Sequence, residues 1–234
     1  MISVAVVTYN GEKYIEEQLD TILKNLDIGD EVVVSDDGST DNTLDVVHLC
    51  QEKDARIRVT EGPGQGVISN VEHAIAQCQG DYIFLADQDD KWMPDKVARV
   101  MEVFDKRHAM LVVHDACVMD ADCKKVIMPS FFAYRHSGRG ALKNMIKNTY
   151  MGCCMAFRRE CVKTILPIPT DIEMHDWWIG VKCDLKYHRT VFIDTPLICY
   201  RRHENNASDF SHNGVLRMIK NRLIFLKRIL KSNG

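Results

Sequence analysis

No run in this 234-residue chain reaches the roughly 18 consecutive apolar residues of a membrane-spanning helix. A transmembrane span is therefore not expected within it. Positive charge is not in excess either: 30 Lys and Arg stand against 33 Asp and Glu, for a net charge of −3. The global basic field of a nucleic-acid binder is missing, and no nucleic-acid partner is expected. The nine cysteines include no Cys-x-x-Cys pair. Their odd number, scatter and apolar neighbours suit reduced, buried thiols and disfavour a disulfide frame or a zinc site. No Gly-x-Gly-x-x-Gly loop follows the first apolar run, and no Walker-type phosphate loop occurs. An ordinary dinucleotide fold is thereby disfavoured. Gly62, Gly64 and Gly66 match that spacing only in part, follow a later strand and enclose Pro63. A strand pattern starts at Ile2 and leaves no room for a signal peptide, so the expectation is a soluble cytoplasmic domain.

What is present is one sizeable core's worth of apolar residues, 46% of the chain, in an alternating rhythm. Ile2 to Val7, Val32 to Ser35, Arg56 to Thr60 and Tyr82 to Ala86 read as short buried strands. Helices are expected over residues 13–26, after Ser39-Thr40-Asp41 with Leu44, Val47 and His48 inward, over Val67 to Gln79, and over Pro94 to Arg107. Strands separated by helices imply right-handed crossovers and a largely parallel sheet. The second half is less regular. Strands are expected at Leu111 to Ala116, Lys124 to Met128, Cys153 to Phe157, Val191 to Ile193 and Leu197 to Tyr200. Helices are expected around Leu142 to Lys147 and from the His175-Asp176-Trp177-Trp178 run to about Tyr187.

The polar clusters gather at the strand ends. Thr8-Tyr9-Asn10 follows the first strand, Asp36-Asp37 the second, and Asp87-Gln88-Asp89-Asp90 the fourth. Ligands of open α/β sheets bind beyond the C-terminal ends of the strands, so three clusters on one edge describe a site. Asp87, Asp89 and Asp90 repel one another unless a cation sits among them. A hard divalent ion that also holds a diphosphate is the usual reason for such crowding, and acidic turn or cap chemistry is the plain alternative. At the other end, Val215 to Lys231 carries six Lys and Arg, no acid and nine Leu, Ile, Met and Phe residues. It reads as a basic amphipathic helix that either packs on the domain or docks on an anionic membrane surface.

Val-Val-Thr-Tyr-Asn-Gly at 6–11, Ser-Asp-Asp-Gly-Ser-Thr-Asp-Asn-Thr at 35–43 and Gly-Asp-Tyr-Ile-Phe-Leu-Ala-Asp-Gln-Asp-Asp at 80–90 resemble, in order and spacing, the motifs of family-2 glycosyltransferases. The likeness extends to about His203. Ala-Asp-Gln-Asp-Asp-x-Trp, His-Asp-Trp-Trp at 175–178 and Tyr-Arg-Arg-His at 200–203 are similar to its bacterial rhamnosyltransferase-like group, which builds O-antigen, capsule and other surface polysaccharides. The resemblance implies a GT-A fold, a Rossmann-like α/β sandwich with a mixed, mostly parallel sheet. It divides the chain into a nucleotide-sugar half (1–107), an acceptor half (108–213) and the basic helix (214–234).

The resemblance also implies roles. Thr8 and Asp37 would contact the base and ribose of the donor, with Tyr9, Asn10, Asp36, Asn70 and Gln88 beside them. Asp89 and His203 would hold a divalent metal, Mn²⁺ or Mg²⁺, and Asp87 would serve ribose or metal-bound water. Asp90 would act as a helix cap or a supporting group. Asp176 would be the general base, with a role as helix cap as its structural alternative. His175, Trp177 and Trp178 would meet acceptor or sugar, His175 being a weaker alternative base. Many relatives carry Glu-Asp where this chain has His175-Asp176, so the base rests on Asp176 alone. The implied activity is metal-dependent, inverting transfer from dTDP-rhamnose or a UDP-hexose to a glycan hydroxyl, on an acceptor carried by a lipid diphosphate at the cytoplasmic membrane. A sugar nucleotidyltransferase is the rival enzyme reading, and an inactive nucleotide- or glycan-binding module the non-enzymatic one.

Overall fold

The structure is a computed structural model and describes residues 1–204, 206 and 214–232. The chain opens as expected, with Ile2–Thr8 (β1), Ile15–Leu23 (α1), Glu31–Asp36 (β2), Thr43–Lys53 (α2), Ile57–Glu61 (β3), Val67–Gln77 (α3) and Tyr82–Asp87 (β4). Valine and isoleucine, stiff at χ1, favour the pleated surface in β1 and β2. Helical spacing places Ile15, Leu19 and Ile22 on the buried side of α1. One inward assignment fails. In α2 the buried side chains are Thr43, Val47 and Cys50, while Leu44 is half-buried and His48 is exposed.

Lys91–Trp92 (β5), Lys96–Arg107 (α4), Leu111–Met119 (β6), Val126–Met128 (β7), Phe131–Arg135 (α5) and Ala141–Ile146 (α6) follow. Next come a 3₁₀ turn at Gly152–Cys154, Met155–Arg158 (β8), Val162–Ile165 (α7), His175–Tyr187 (α8), Thr190–Arg201 (β9) and Val215–Ser232 (α9). The two short strands expected at 191–193 and 197–200 are one, β9, with Pro196 at an irregularity in its pairing with β6. Proline lacks the N–H that continuous pairing needs. β5, α5 and α7 were not anticipated, being too short to show a period.

Among the described residues, all nine strands share one sheet, in the order β3-β2-β1-β4-β8-β6-β9-β5, with β7 on β6. β1 to β4 pair in parallel, β8 runs antiparallel to both β4 and β6, and β6 pairs in parallel with β9. The sheet therefore runs unbroken through both halves of the chain. The sequence-based boundary between 213 and 214 lies outside the described residues. The central strands are buried on both faces: Val4, Val6, Val32, Val34, Ile83, Phe84, Leu111 and Val113 have essentially no exposure. All nine cysteines are free, and six of them are buried. Among the described residues no helix is long and apolar enough to cross a membrane.

The register decides where the chemistry goes. Thr8 pairs with Asp36 and Val7 with Asp87, so β1, β2 and β4 end level with one another. β1 is also where strand order reverses, since the chain moves outward to β2 and β3 and then returns to β4. Such a switch point leaves a crevice between diverging loops.

Candidate donor and transfer site

A cleft of about 620 Å³ opens at this switch point. Thr8, Tyr9, Asp37, Asn70, Asp87, Gln88, Asp89 and His175 line it, along with Gly64, Gly66, Met174, Tyr200 and Asn206.

The two aspartates after β2 divide their work. Asp36 is buried, and its carboxylate accepts from Thr8 Oγ1 (2.7 Å), Ser39 Oγ (2.6 Å), Ser39 N (2.8 Å) and Gly38 N (3.1 Å). Turn chemistry occupies it fully, and it does not line the cleft. Asp37 does line it and accepts from the backbone N–H groups of Gly64 (2.8 Å), Gln65 (3.3 Å) and Gly66 (2.7 Å). Gly64 and Gly66 take positive φ, +65° and +89°, which turns these amides toward the carboxylate. The glycine-rich loop is thus a clasp on Asp37.

Asn70 is buried at the cleft wall. Its amide donates to the Ser35 carbonyl (2.9 Å) and accepts from Ser35 Oγ (2.6 Å), joining α3 to the end of β2. Gln88 clamps Tyr9 through two bonds, Tyr9 N to Gln88 Oε1 (2.9 Å) and Gln88 Nε2 to Tyr9 O (3.0 Å), which leaves the Tyr9 ring exposed. Asn10 adopts a left-handed conformation (φ 51°), and its side chain accepts from Thr40 N (2.8 Å). It holds the loop after β2 and does not line the cleft.

The acid run behaves as three separate groups. Asp87 is half-buried, and burial followed by the charges of Asp89 and Asp176 pushes its carboxyl up to about 7. Asp89 faces the cleft. It accepts from Asn206 Nδ2 (3.3 Å) and pairs with His203 Nε2 at 2.8 Å. The His203 ring stacks on Tyr14, with centroids 4.7 Å apart. Asp90 is not a helix cap, because α4 starts six residues later. It is fully buried, accepts from Arg201 N (3.1 Å), and its second oxygen has no partner among the described residues. Burial, then Asp89 and Asp87, hold its carboxyl well above the usual range. Beneath the run lies Lys96, fully buried, donating to the Cys153 carbonyl (3.1 Å) and 3.7 Å from the centre of the Trp92 ring. Burial lowers its ammonium to about 8, although Asp90 and Asp87 favour the charge.

Two sets of groups have metal-ligating chemistry. Asp87, Asp90 and Cys153 present ligand atoms within 4.8 Å of one another. The hydrogen bond with Cys154 and then burial push the Cys153 thiol up and keep it protonated, and a soft thiol suits neither Mg²⁺ nor Mn²⁺. Asp89, with Asp87 nearby, offers hard carboxylate oxygens to the cleft, and His203, paired with Asp89, adds a borderline imidazole nitrogen that suits Mn²⁺ better than Mg²⁺. The donor set therefore fits a divalent cation on the cleft side of the run.

Asp176 sits in the first turn of α8 but does not cap it. Its carboxylate is buried and accepts from Asn148 Nδ2 (3.0 Å), and burial pushes it up to about 6. Beside it His175 packs against Gly152, where a Cβ would come within 2.5 Å of the imidazole. Burial lowers the His175 imidazole to about 4, so it is neutral at pH 7 and a weak base.

The tryptophans are corrected. Trp177 is 4% exposed, donates to the Asn144 carbonyl (2.7 Å) and stacks on Phe225 of α9 at 3.8 Å. Trp178 is 2% exposed and donates to the Ile165 carbonyl (2.7 Å). Both rings belong to the seat of the terminal helix, because α8 is buried nearly all round and its apolar residues have no free face.

Sequence reading missed Arg201 and Asn206. Arg201 is buried at the end of β9. It donates from Nε to the Asp89 carbonyl (2.7 Å), from Nη1 to the Ala121 carbonyl (2.7 Å) and from Nη2 to Glu17 (2.6 Å). It fixes the acid run from behind. A basic residue next to the strand end was visible, but its partners, 80 to 184 residues away along the chain, were not.

Three comparisons bear on this arrangement. The chain is 27% identical over 228 residues to the dTDP-rhamnosyl transferase RfbG of Shigella flexneri, covering 86% of this chain and 72% of that protein. It superposes on Staphylococcus aureus TarS in complex with UDP-GlcNAc with a TM-score of 0.75 at 20% identity, over 95% of this chain and 65% of that one. It superposes on the mannosyltransferase PcManGT of Pyrobaculum calidifontis, in complex with GDP-Man and Mn²⁺, with a TM-score of 0.64 at 22% identity, over 88% of this chain and 58% of that one. The two solved structures share the GT-A fold with this chain. Residues 3–166 match the family model described as "Glycosyl transferase family 2", and by that match, over more than half of its sequence, the chain belongs to glycosyl transferase family 2.

Proposed function

We propose that this glycosyltransferase moves a sugar, with inversion, from dTDP-rhamnose or a UDP-hexose to a hydroxyl of a lipid-diphosphate-linked glycan in bacterial surface polysaccharide synthesis. The observation that carries the reading is a buried carboxylate, Asp176, raised to about 6 next to His175 of a cleft that Thr8, Asp37, Asn70, Asp87 and Asp89 also line. RfbG is named a dTDP-rhamnosyl transferase and TarS binds UDP-GlcNAc, which supports a deoxythymidine or uridine diphosphate donor.

In this reading Thr8, Asp37 and Asn70 hold the nucleoside, with Tyr9 over the entrance. A divalent cation held by Asp89 and His203, with Asp87 in support, would neutralise the charge that develops on the departing diphosphate. Asp176 takes the proton of the acceptor hydroxyl as that oxygen attacks C1 from the face opposite the leaving group. Its partly desolvated carboxylate is a stronger base than an exposed one, and the Asn148 amide aims it. Asp36, Asn10 and Gln88 act on the loops, not on the ligand.

Asp176→Asn tests this directly. Transfer should fall by about 10²–10⁴-fold while thermal stabilisation by dTDP- or UDP-sugar with Mn²⁺ is retained. Transfer at near wild-type rate in the variant would remove Asp176 from the mechanism. A chain stabilised by no nucleotide would remove the donor site.

A further inference from the structure

The terminal helix α9 has two apolar sides. One faces the domain: Phe225 is 1% exposed and Ile229 3%, with the Trp177 stack and an Arg228–Asp171 ion pair (2.8 Å) holding it down. The other faces outward. Leu216, Ile219, Leu223, Leu226 and Leu230 are 44–85% exposed, and their spacing of three and four residues keeps them on one stripe along the whole helix. At about 100° per residue, Arg217, Lys220, Lys227 and Lys231 fall in a row along one border of that stripe. The neighbouring α6, whose Ile146 carbonyl accepts from Arg222 (2.6 Å), adds exposed Leu142 and Ile146. Five large aliphatic side chains in line exceed what scattered surface residues account for.

We infer that this outer stripe of α9 docks the protein on an anionic phospholipid surface, with the helix lying in the interface plane. The charge pattern chooses this occupant over a second copy of the chain. An antiparallel pairing of the stripe with itself would set the two basic rows against each other, a parallel one would leave each row without an acidic partner, and residues 215–232 contain no acid to offset either. A bilayer takes the leucines among its acyl chains and matches the lysines to anionic headgroups. The same helix seats Trp177, the neighbour of Asp176, through Phe225, so a surface docked on the outer stripe lies within one helix diameter, about 10 Å, of α8. The inference rests on helix geometry and does not depend on the proposed transfer reaction.

Co-sedimentation with vesicles tests it, using phosphatidylcholine alone or with about 30% phosphatidylglycerol. The full chain should partition onto the anionic vesicles at least about tenfold better, and high salt should weaken this. Ile219→Ser/Leu223→Ser/Leu226→Ser should abolish binding, and Lys220→Gln/Lys227→Gln/Lys231→Gln should remove the preference for anionic lipid. Circular dichroism and stabilisation by nucleotide with Mn²⁺ on the same variants show that the domain is intact. Equal binding to both vesicle types, unchanged binding of the serine variant, or a dimer in vesicle-free buffer that the serine variant abolishes would each overturn the inference. Loss of transfer to a water-soluble acceptor with vesicle binding intact would count against the proposed reaction alone.

Discussion

Burial gives the carboxylates around the cleft different tasks. Asp176 and Asp87 titrate near neutrality because both lose solvation, and Asp87 also feels its neighbours. If Asp176 is the base, kcat/KM should fall about tenfold per pH unit below about 6. Asn148→Leu should move that limb upward, since its amide lowers the Asp176 pKa. An unmoved acid limb in this variant would show that another group sets it. The same shift bears on stability. A carboxyl raised on folding stabilises the fold below its ordinary value near 4, and that contribution disappears as pH rises through about 6. Asp176→Asn should therefore be more stable than wild type at pH 8, by about 1–3 kcal/mol, and no more stable at pH 4. Urea melts at both pH values measure it. Greater activity and lower stability would then trace to one desolvated group.

Single elements act through what they brace. β9 ends in Arg201, whose guanidinium holds the Asp89 carbonyl, the 121 loop and Glu17 together. Arg201→Met should cost about 2–4 kcal/mol, because it leaves the Asp89 and Ala121 carbonyls without their guanidinium donor and removes the ion pair to Glu17. It should also weaken nucleotide-dependent stabilisation, although Arg201 does not line the cleft. A stability loss with unchanged donor binding would confine it to the fold. α8 holds the buried Asp176 against Asn148 while Trp177 and Trp178 bury themselves under α9. Phe225→Ala should cost about 3–5 kcal/mol through the lost stack and cavity, read by chemical denaturation. Element by element, the long periodic segments α1, α3, α4 and α8 were legible from spacing alone. β5, α5 and α7 were not, because two to five residues carry no helical or strand period of their own.

For the whole molecule, the site is a property of the sheet. β1, β2 and β4 end level only because their parallel register pairs Thr8 with Asp36 and Val7 with Asp87. Nucleotide with Mn²⁺ at about 100 times its Kd should stabilise the fold by about 2.7 kcal/mol, and chelation should reduce this. A thermal shift indifferent to chelation would count against the cation site. Part of the arrangement could be read beforehand: Thr8, Tyr9, Asp37, Asp87, Gln88, Asp89 and His175 line one cleft, and Asp176 and His203 adjoin residues that line it. Residue chemistry and local period settle such features, since turn acids, buried valine runs and helical spacing act over a few residues. The tertiary structure decided what local pattern cannot carry. It turned Asp36 into a turn and Asp37 into a loop clasp, set Asp90 and Lys96 beneath the cleft, buried the tryptophans under α9 and left that helix a second apolar face. Each outcome depends on which distant groups compete for the same oxygen or ring, and such competition exists only once the chain has folded.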